Sequence, residues 1–440
     1  MGSEAVRSGQ RRQQRAWYVY DWANSAFQTT VLTVFLGPYL TALADAAAVD
    51  GFVRPLGIPV RTAAYYPYLV SFSALLQVVS MPLVGALVDR TGRRRLLLGV
   101  LAYIGAVGTM LLYFVGGDRY LVGGLLFLVT SVSFTCSIVV YNAWLPDIAG
   151  TEDRDRVSSR GWATGYLGGG LLLAANLGLL QQAQAGALGL DVGAAVRISL
   201  VSAGGWWAIF TLVPLAGLRD APPRPVAGGG FRQLGMTMRR LRAAPATLLF
   251  LAAYLLFNDG VQTVISQSAV FATFELELTE DVIVVAVLIV QLVAVFGALL
   301  LGWLADLVGA KKMVLASLLV WIAVLGAAYV LPPGEVMAFY ALAACIGLVL
   351  GGTQALSRSL FSHMIPDGAE AEYFSAYEIS DRGTSWIGAL LFGLAVQVTG
   401  SYRIAIVSLV VFFAVGFVLL WFADIRRAAA EAGNRAPARV

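Results

Sequence analysis

The chain has 440 residues, of which 59% are hydrophobic and only 13% are charged. Because soluble domains carry about 25% charged residues, this composition argues against a water-soluble fold. A spanning helix needs about 20 mostly apolar residues, so the length suffices for about twelve spans with short connections. The net charge of +4 resides in short patches between apolar runs, which gives no reason to expect nucleic acid as a partner.

Apolar runs bounded by charged residues, glycine or proline predict twelve transmembrane helices. The predicted spans are residues 16–44, 64–88, 95–116, 119–145, 158–181, 194–217, 246–270, 281–305, 312–331, 335–358, 372–397 and 401–423. Most of the 30 Lys and Arg residues fall on the side that holds both termini, and the positive-inside rule places that side in the cytoplasm. The sequence therefore predicts an all-α polytopic membrane protein.

Residues 218–245 form the only long predicted cytoplasmic connection. Their Pro and Gly cluster and basic amphipathic segment predict a linker. It separates an N-terminal six-helix bundle, residues 1–217, from a C-terminal bundle with a cytoplasmic tail, residues 246–440. An internal repeat supports this division, because GALVDRTGRRR, from Gly85 on, recurs as GWLADLVGAKK, from Gly302 on. Two such copies indicate two bundles related by an axis along the membrane normal.

The repeat suggests a gating element at the cytoplasmic end of each bundle. Its residues are Gly85, Asp89, Arg90, Gly92, Arg93 and Arg94 in the first copy and Gly302, Asp306, Gly309 and Lys311 in the second. We expect Gly92 to form a tight turn, and Asp89 to accept backbone hydrogen bonds or to pair with an arginine as a latch. The alternative is an ordinary basic loop that sets topology. Repetition of Gly and Asp at a fixed spacing favours the latch.

This spacing resembles motif A of the major facilitator superfamily, and the arrangement of two copies covers essentially the whole chain. The segments YDWANSAF, FNDGVQT and GGTQALSRSLFSHMIP are similar to those of the branch typified by the yeast vacuolar amino acid effluxer linked to autophagy. The resemblance implies secondary transport, with amino acids as the leading substrates. The second motif copy departs from the pattern at Leu307 and Ala310, where the first has Arg90 and Arg93.

Predicted helix 1 carries Asp21, Asn24 and Gln28 at three- and four-residue spacing, which places them on one face. An ionised Asp at the centre of a span costs about 2.5–3.5 kcal/mol, so a retained one needs a partner or a task. Asp21 lies near the inner edge, where the cost is smaller. The two interpretations are a role in a central cavity and an interfacial anchor beside the aromatic residues Trp17 and Trp22.

Predicted helix 7 places Asn258, Asp259 and Gln262 on one face, with Asp259 at the bilayer midplane. Gly260 could loosen the helix there, as in the discontinuous helices of transporters. Interhelical hydrogen bonds, worth about 0.6–2 kcal/mol, are the alternative, and they suit Asn258 or Gln262. For Asp259 the functional interpretation is preferred, because a neutral amide would serve structure at a lower cost.

Three further candidates lie in predicted helices 4 and 10. In the superfamily arrangement the first and fourth helices of each half line the central path, which makes Asn142 and Gln354 candidate ligands. Arg358 is a candidate ligand near the inner edge, and the alternative is that it binds only lipid phosphate or the helix end.

Predicted helix 11 includes Glu378, Asp381 and Arg382 in its inner half. Glu378 and Arg382 are four residues apart and can form a self-neutralising pair. The alternative is a cytoplasmic gate or proton relay that also uses Asp381.

Other chemistries find no support in the sequence. Cys136 and Cys345 lie in apolar runs, so we expect both to be buried and to form neither a disulfide nor a metal site. The only lysines are Lys311 and Lys312, so there is no Gly-Lys-Ser/Thr phosphate loop. Zinc-hydrolase and nucleophile-elbow patterns are also absent from the sequence. We expect neither a cofactor nor enzymatic activity.

The sequence thus predicts a secondary transporter that exports small zwitterions such as neutral amino acids, as a monomer in a bacterial cytoplasmic membrane. Asp259 would hold the ammonium group, while Asn24, Asn258 and Gln354 would orient the carboxylate. The carboxylates that could couple this flux to protons are Asp21, Asp259 and Glu378. The alternatives are a broad exporter of drugs or metabolites and a non-transporting scaffold or sensor. A charge at the bilayer centre argues against the scaffold.

Overall fold

The computed structural model describes residues 2–148, 154–186, 189–220, 239, 244–365, 377 and 385–434. Within these residues, ten helices are long and apolar enough to cross a membrane. Large apolar side chains cover their outer surfaces, and Phe296, Val398 and Phe422 are each at least 70% exposed. Such surfaces suit a lipid environment, because helices satisfy their own backbone hydrogen bonds there. The chain is therefore an integral, multi-pass membrane protein.

The helices follow one another with short connections. In the first half they are α1 (residues 2–46), α2 (Thr62–Thr91), α3 (Arg94–Leu111), α4 (Tyr120–Asn142), α5 (Arg154–Gln184) and α6 (Val192–Gly217). In the second half they are α7 (Pro245–Phe274), α8 (Glu280–Val308), α9 (Ala310–Val330), α10 (Val336–Ser362), α11 (Ser385–Thr399), α12 (residues 402–422) and α13 (Ile425–Glu431). Strands β1 (Phe52–Val53) and β2 (Val60–Arg61) pair antiparallel between α1 and α2.

The predicted helices agree with these positions, and the helical residues extend further at several ends. Helix α1 begins at Gly2, and its candidate span begins at Gln10, before the predicted start at residue 16. Helix α5 covers the fifth predicted span with 31 residues but is not among the ten helices above. Of the eleventh predicted span, only residue 377 and the part within α11 are described. Most of the predicted linker also lies outside the described residues.

The chain forms two compact units. One comprises Met1–Thr62 and Leu76–Gly230, and the other comprises Ala63–Leu75 and Phe231–Val440. The predicted bundle boundaries at residues 217 and 246 remain a prediction. Each unit has a core of large side chains, with Trp207 and Phe27 fully buried in the first and Trp321 and Phe392 in the second.

Local sequence explains where several helices begin and end. Gly92 follows α2 in the left-handed conformation, at φ 63°, which glycine adopts without strain. Gly309, between α8 and α9, has φ 106°. Pro245 is the first residue of α7, where its missing N–H costs nothing. Asp191 accepts a hydrogen bond from the Ala194 N–H and so caps α6.

The two cysteines differ in their surroundings. Cys136 is buried, as predicted, but Cys345 is exposed on α10. The prediction for Cys345 was wrong because an apolar run identifies a span but does not tell its lipid-facing side from its protein-facing side.

Candidate functional site

In the first unit, the carboxylate of Asp21 lies between α1 and α4. The Tyr141 hydroxyl donates a hydrogen bond of 2.7 Å to Asp21 Oδ2. The Tyr141 ring stacks on Trp17 with 4.3 Å between ring centroids, and the Trp17 Nε1–H donates to the Tyr141 carbonyl at 3.1 Å. The Tyr20 hydroxyl donates to Ser137 Oγ at 2.6 Å. Asp21 is half-buried, and this cluster of aromatic rings and hydroxyls surrounds its carboxylate.

Glycines of α5 allow this helix to approach α1 closely. A Cβ at Gly161 would lie 2.5 Å from Asp21 Oδ2, and one at Gly165 would lie 2.6 Å from Ser25 Oγ. At Gly168 a Cβ would lie 2.6 Å from the Trp22 carbonyl oxygen. The close packing expected for such small-residue stripes in membranes therefore occurs here.

Helix α1 changes its winding in the middle of the span. Residues Phe27–Phe35 form a π-helical segment, and the Thr33 hydroxyl donates to the Gln28 carbonyl at 2.9 Å. Of the predicted polar stripe, Asn24 is buried and Gln28 is exposed. Three- and four-residue spacing no longer defines a face beyond Phe27, because each turn there is wider.

In the second unit, Asp259 lies close to the middle of α7 and is 1% exposed. Its Oδ2 accepts a hydrogen bond of 2.8 Å from the Gly388 N–H of α11. No donor among the described residues bonds to its Oδ1. A Cβ at Gly388 would lie 2.2 Å from Thr263 Oγ1 and 3.1 Å from Asp259 Oδ1, so only glycine fits. The carboxylate thus contacts the backbone of a neighbouring helix and forms no ion pair within the described residues.

The carboxylates of Asp21 and Asp259 are packed in similar ways. Asp21 on α1 faces Gly161, and Asp259 on α7 faces Gly388. They differ in exposure and in hydrogen-bond donor. Asp21 accepts a hydrogen bond from a hydroxyl group, and Asp259 accepts one from a backbone amide.

The other predicted ligands have varied surroundings. Asn258 is buried, whereas Asn142, Gln262 and Gln354 are half-buried and Arg358 is exposed. Their roles remain predictions. Glu378, Asp381 and Arg382 lie outside the described residues.

The first copy of the repeated motif forms an ion pair within its own unit. The Arg94 guanidinium is buried and pairs with the Asp147 carboxylate, just beyond α4. Arg94 also lies 6.0 Å from the Trp144 ring centroid, and the Trp144 Nε1–H donates to the Arg219 carbonyl at 2.8 Å. Arg93 is exposed. The sequence predicted Arg94 as a gating residue but did not predict Asp147 as its partner.

The remaining members of the first copy have less specific contacts. Gly85 has ordinary contact with Val139, and the side chains of Asp89 and Arg90 lie outside the described part of the structure. Two glutamines of α1 reinforce the same end of the unit. The Gln10 and Gln14 side-chain amides donate to the Ile148 carbonyl at 3.0 and 2.7 Å.

The second copy binds the end of the last span. Lys311 Nζ donates to the carbonyls of Trp421 and Ala423 at 2.9 and 2.8 Å, which satisfies acceptors left free at the end of α12. The Asn434 side-chain amide donates to the carbonyls of His363 and Ile365, so the segment after α12 is held against the end of α10. Gly302 has no contact that requires glycine, and the Asp306 side chain is not described.

Among the described residues, no group of three or more His, Cys, Asp or Glu side chains is placed to hold a metal ion. The polar groups that the fold brings together are carboxylates, hydroxyls, amides and backbone N–H groups. They can bind a small polar solute or exchange a proton.

Comparisons with known proteins agree with this architecture. Residues 9–433 match the family model described as vacuole effluxer Atg22 like. The chain is 28% identical to the uncharacterized MFS-type transporter YxiO of Bacillus subtilis over 93% of this chain and 94% of that protein. It is 25% identical to autophagy-related protein 22 of Gibberella zeae, over 98% of this chain and 82% of that protein.

A solved structure shows the same fold. The nucleoside transporter NupG has 15% sequence identity and a TM-score of 0.67, over 93% of this chain and 97% of NupG. Together with the repeated motif and the membrane-spanning helices, these likenesses establish the assignment. The chain belongs to the vacuole effluxer Atg22-like family and is a membrane transporter of the major facilitator superfamily.

Proposed function

We propose that this transporter exports small zwitterionic solutes, neutral amino acids above all, by alternating access, and that Asp259 couples the flux to protons. The main support is the environment of the Asp259 carboxylate, which is fully buried. One of its oxygens accepts a hydrogen bond from a backbone amide, and the other has no donor among the described residues. The description of the matching family as an effluxer supports the direction. The similarity to a Bacillus protein supports a bacterial cytoplasmic membrane. The distribution of Lys and Arg supports the placement of both termini in the cytoplasm.

The geometry favours a proton over a substrate ammonium group at Asp259. The Oδ1 atom is itself buried and lies in the close contact between α7 and Gly388 of α11, an environment that disfavours a bulky ammonium group. A proton needs far less space. An ionised carboxylate without an ion-pair partner is expensive in the hydrocarbon region, and protonation removes that cost.

Protonation of Asp259 would also alter helix packing. Hydrogen bonds to an ionised acceptor are about twice as strong as bonds between neutral groups. When Oδ1 takes a proton, the bond from the Gly388 N–H to Oδ2 weakens. The contact between α7 and α11 then loosens, which links the proton to movement of α11.

Asp21 is the better partner for the substrate ammonium group. It is half-buried, whereas Asp259 is 1% exposed, and the Tyr141 hydroxyl donates to its Oδ2 at 2.7 Å. The amide of Asn24, three residues further along α1, is proposed to orient the substrate carboxylate. This pairing of one carboxylate with a neutral amide suits a zwitterion better than a polyanion.

The test is counterflow of labelled solutes in proteoliposomes of the purified protein. One panel contains neutral amino acids led by leucine and tyrosine, and a second contains hydrophobic cations. The matched variants are Asp259→Asn and Glu335→Gln, which make the same chemical change at a buried and an exposed carboxylate. We expect amino acid exchange in the wild type and in Glu335→Gln.

Exchange of the cations but not of the amino acids would favour the drug exporter. If nothing moves in either panel, the proposed substrate class is wrong. Asp259→Asn is expected to retain exchange but to lose its response to a proton gradient. If exchange by Asp259→Asn still responds to a proton gradient, Asp259 has a purely structural role.

A further inference from the structure

A small β-hairpin joins α1 to α2 on the side of the membrane opposite the N-terminus. Val53 and Val60 form one pair across the strands, and both are buried, with β1 packing on the end of α1. The turn that precedes the hairpin contains Asp50 and Gly51, both with positive φ, as a tight type I′ turn requires. The hairpin therefore has a fixed shape.

Its tip exposes large apolar side chains. Leu56 is 97% exposed and Ile58 is 63% exposed. Leu56 also has a left-handed backbone, with φ 53° and ψ 26°, which glycine or asparagine adopts more easily than leucine. Folding of the hairpin alone explains neither the exposure nor the choice of leucine.

The charge near the tip indicates what covers these side chains. Arg54 is exposed beside Leu56, and Arg61 lies 5.3 Å from the Phe52 ring centroid. From residue 51 to residue 62 the charged residues are Arg54 and Arg61, and the exposed Asp50 lies in the turn before β1. An apolar tip with only positive charge complements an anionic lipid surface. It does not complement a second copy of itself, because that contact would bring arginines together.

The tip is also close to the membrane. Residue 62 begins α2, and the strands are only two residues long. Because a strand advances about 3.3 Å per residue, the tip cannot stand far from the surface at which α1 and α2 end.

We propose that Leu56 and Ile58 insert into the lipid headgroup region and that Arg54 binds the phosphate of an anionic phospholipid. The hairpin then anchors the connection between the first two spans to the membrane surface. Insertion removes the exposed apolar area from water, which offsets the strain at Leu56.

The test places a bimane label at Ile58→Cys and leaves Leu56 intact. The background is full-length protein carrying Cys136→Ala and Cys345→Ala. The matched control is Asp118→Cys, an exposed position in the connection between α3 and α4, on the same side. Labelled proteins are reconstituted in phosphatidylglycerol or phosphatidylcholine vesicles, and quenching by a doxyl-labelled lipid and by iodide is measured.

Lipid quenching at position 58 is expected to be several times that at position 118. Adding Leu56→Asn, which keeps the left-handed backbone, should reduce it to the level of the control. Arg54→Gln should reduce it in phosphatidylglycerol but not in phosphatidylcholine.

Two results would overturn the proposal. One is iodide quenching at position 58 equal to that at position 118, with no lipid quenching. The other is a blue-shifted emission that depends on protein density and not on doxyl lipid, which would indicate a second copy.

Discussion

Replacing Gly168 by alanine tests the close approach of α5 to α1. The added Cβ would lie 2.6 Å from the Trp22 carbonyl oxygen, 2.9 Å from Trp22 Cδ2 and 3.0 Å from Trp22 Cα. Two of these atoms belong to the backbone, which cannot rotate away. The helices must therefore move apart to restore ordinary contact.

Gly170 provides the matched control, because it lies two residues further along the same helix and a Cβ there meets no atom within 4 Å. Alanine gains about 1 kcal/mol over glycine inside a helix at either position. Overpacking costs about 1–3 kcal/mol. The shared gain cancels between the variants, so Gly168→Ala should be about 1–3 kcal/mol less stable than Gly170→Ala.

The assay is thermal unfolding of the purified protein in detergent, followed by tryptophan fluorescence. Trp22 stacks on Trp206 with 5.4 Å between ring centroids, so the signal reports on the helix that is displaced. Equal melting temperatures for the two alanine variants would refute the packing argument. A lower melting temperature for Gly170→Ala would refute it as well.

Three further predictions concern polar contacts. Arg94→Gln should lower the unfolding free energy by about 1–3 kcal/mol, because it removes a buried charged donor, while the exposed Arg93→Gln should change it by less than about 0.5 kcal/mol; equal losses in thermal unfolding would contradict the buried ion pair. Lys311→Met should expose the segment after α12 to limited proteolysis, because two carbonyls lose their donor. Lys311→Met should be digested there faster than the control Lys312→Met, and equal digestion of the two variants would contradict the prediction. Tyr141→Phe should raise the KM of counterflow with little change in kcat, since it removes a hydrogen bond of about 1.5–3 kcal/mol to Asp21, the carboxylate proposed to bind the substrate ammonium group. A change in kcat alone would argue against substrate binding by Asp21.

The membrane spans were predictable from the sequence because the hydropathy of a segment reflects whether lipid or water surrounds it. A lipid-facing side chain must be apolar over a fixed thickness, and this requirement appears in any window of about 20 residues. The turn at Gly92 was predictable for a similar reason, since a left-handed backbone restricts residue choice at a single position. Close packing at Gly168 also follows from composition, because small residues permit helices to approach in lipid.

Contacts between distant segments were not predictable. Nothing near Arg94 in the sequence points to Asp147, and nothing near Lys311 points to the carbonyls of Trp421 and Ala423. Such pairs depend on which helix faces carry the charge after packing. A search for acidic residues near the end of another span would have included Asp147, but without a criterion to choose it.

The surroundings of Asp259 were only partly predictable. Its position in the middle of α7 identified it as a costly residue that needs an explanation. The backbone partner, the Gly388 N–H, has no sequence signature, because every residue except proline carries such a group. The π-helical winding after Phe27 was missed likewise, because it preserves the apolar character of the span.

Proton movement that accompanies substrate flux is the most direct test of the account. Proteoliposomes that contain a pH-sensitive dye receive the amino acid identified by counterflow, without an imposed gradient. The account predicts a substrate-dependent pH change in the wild type and in Glu335→Gln, and substrate exchange without a pH change in Asp259→Asn. A pH change that persists in Asp259→Asn, or its absence from an actively exchanging wild type, would contradict the assignment of Asp259 as the coupling carboxylate.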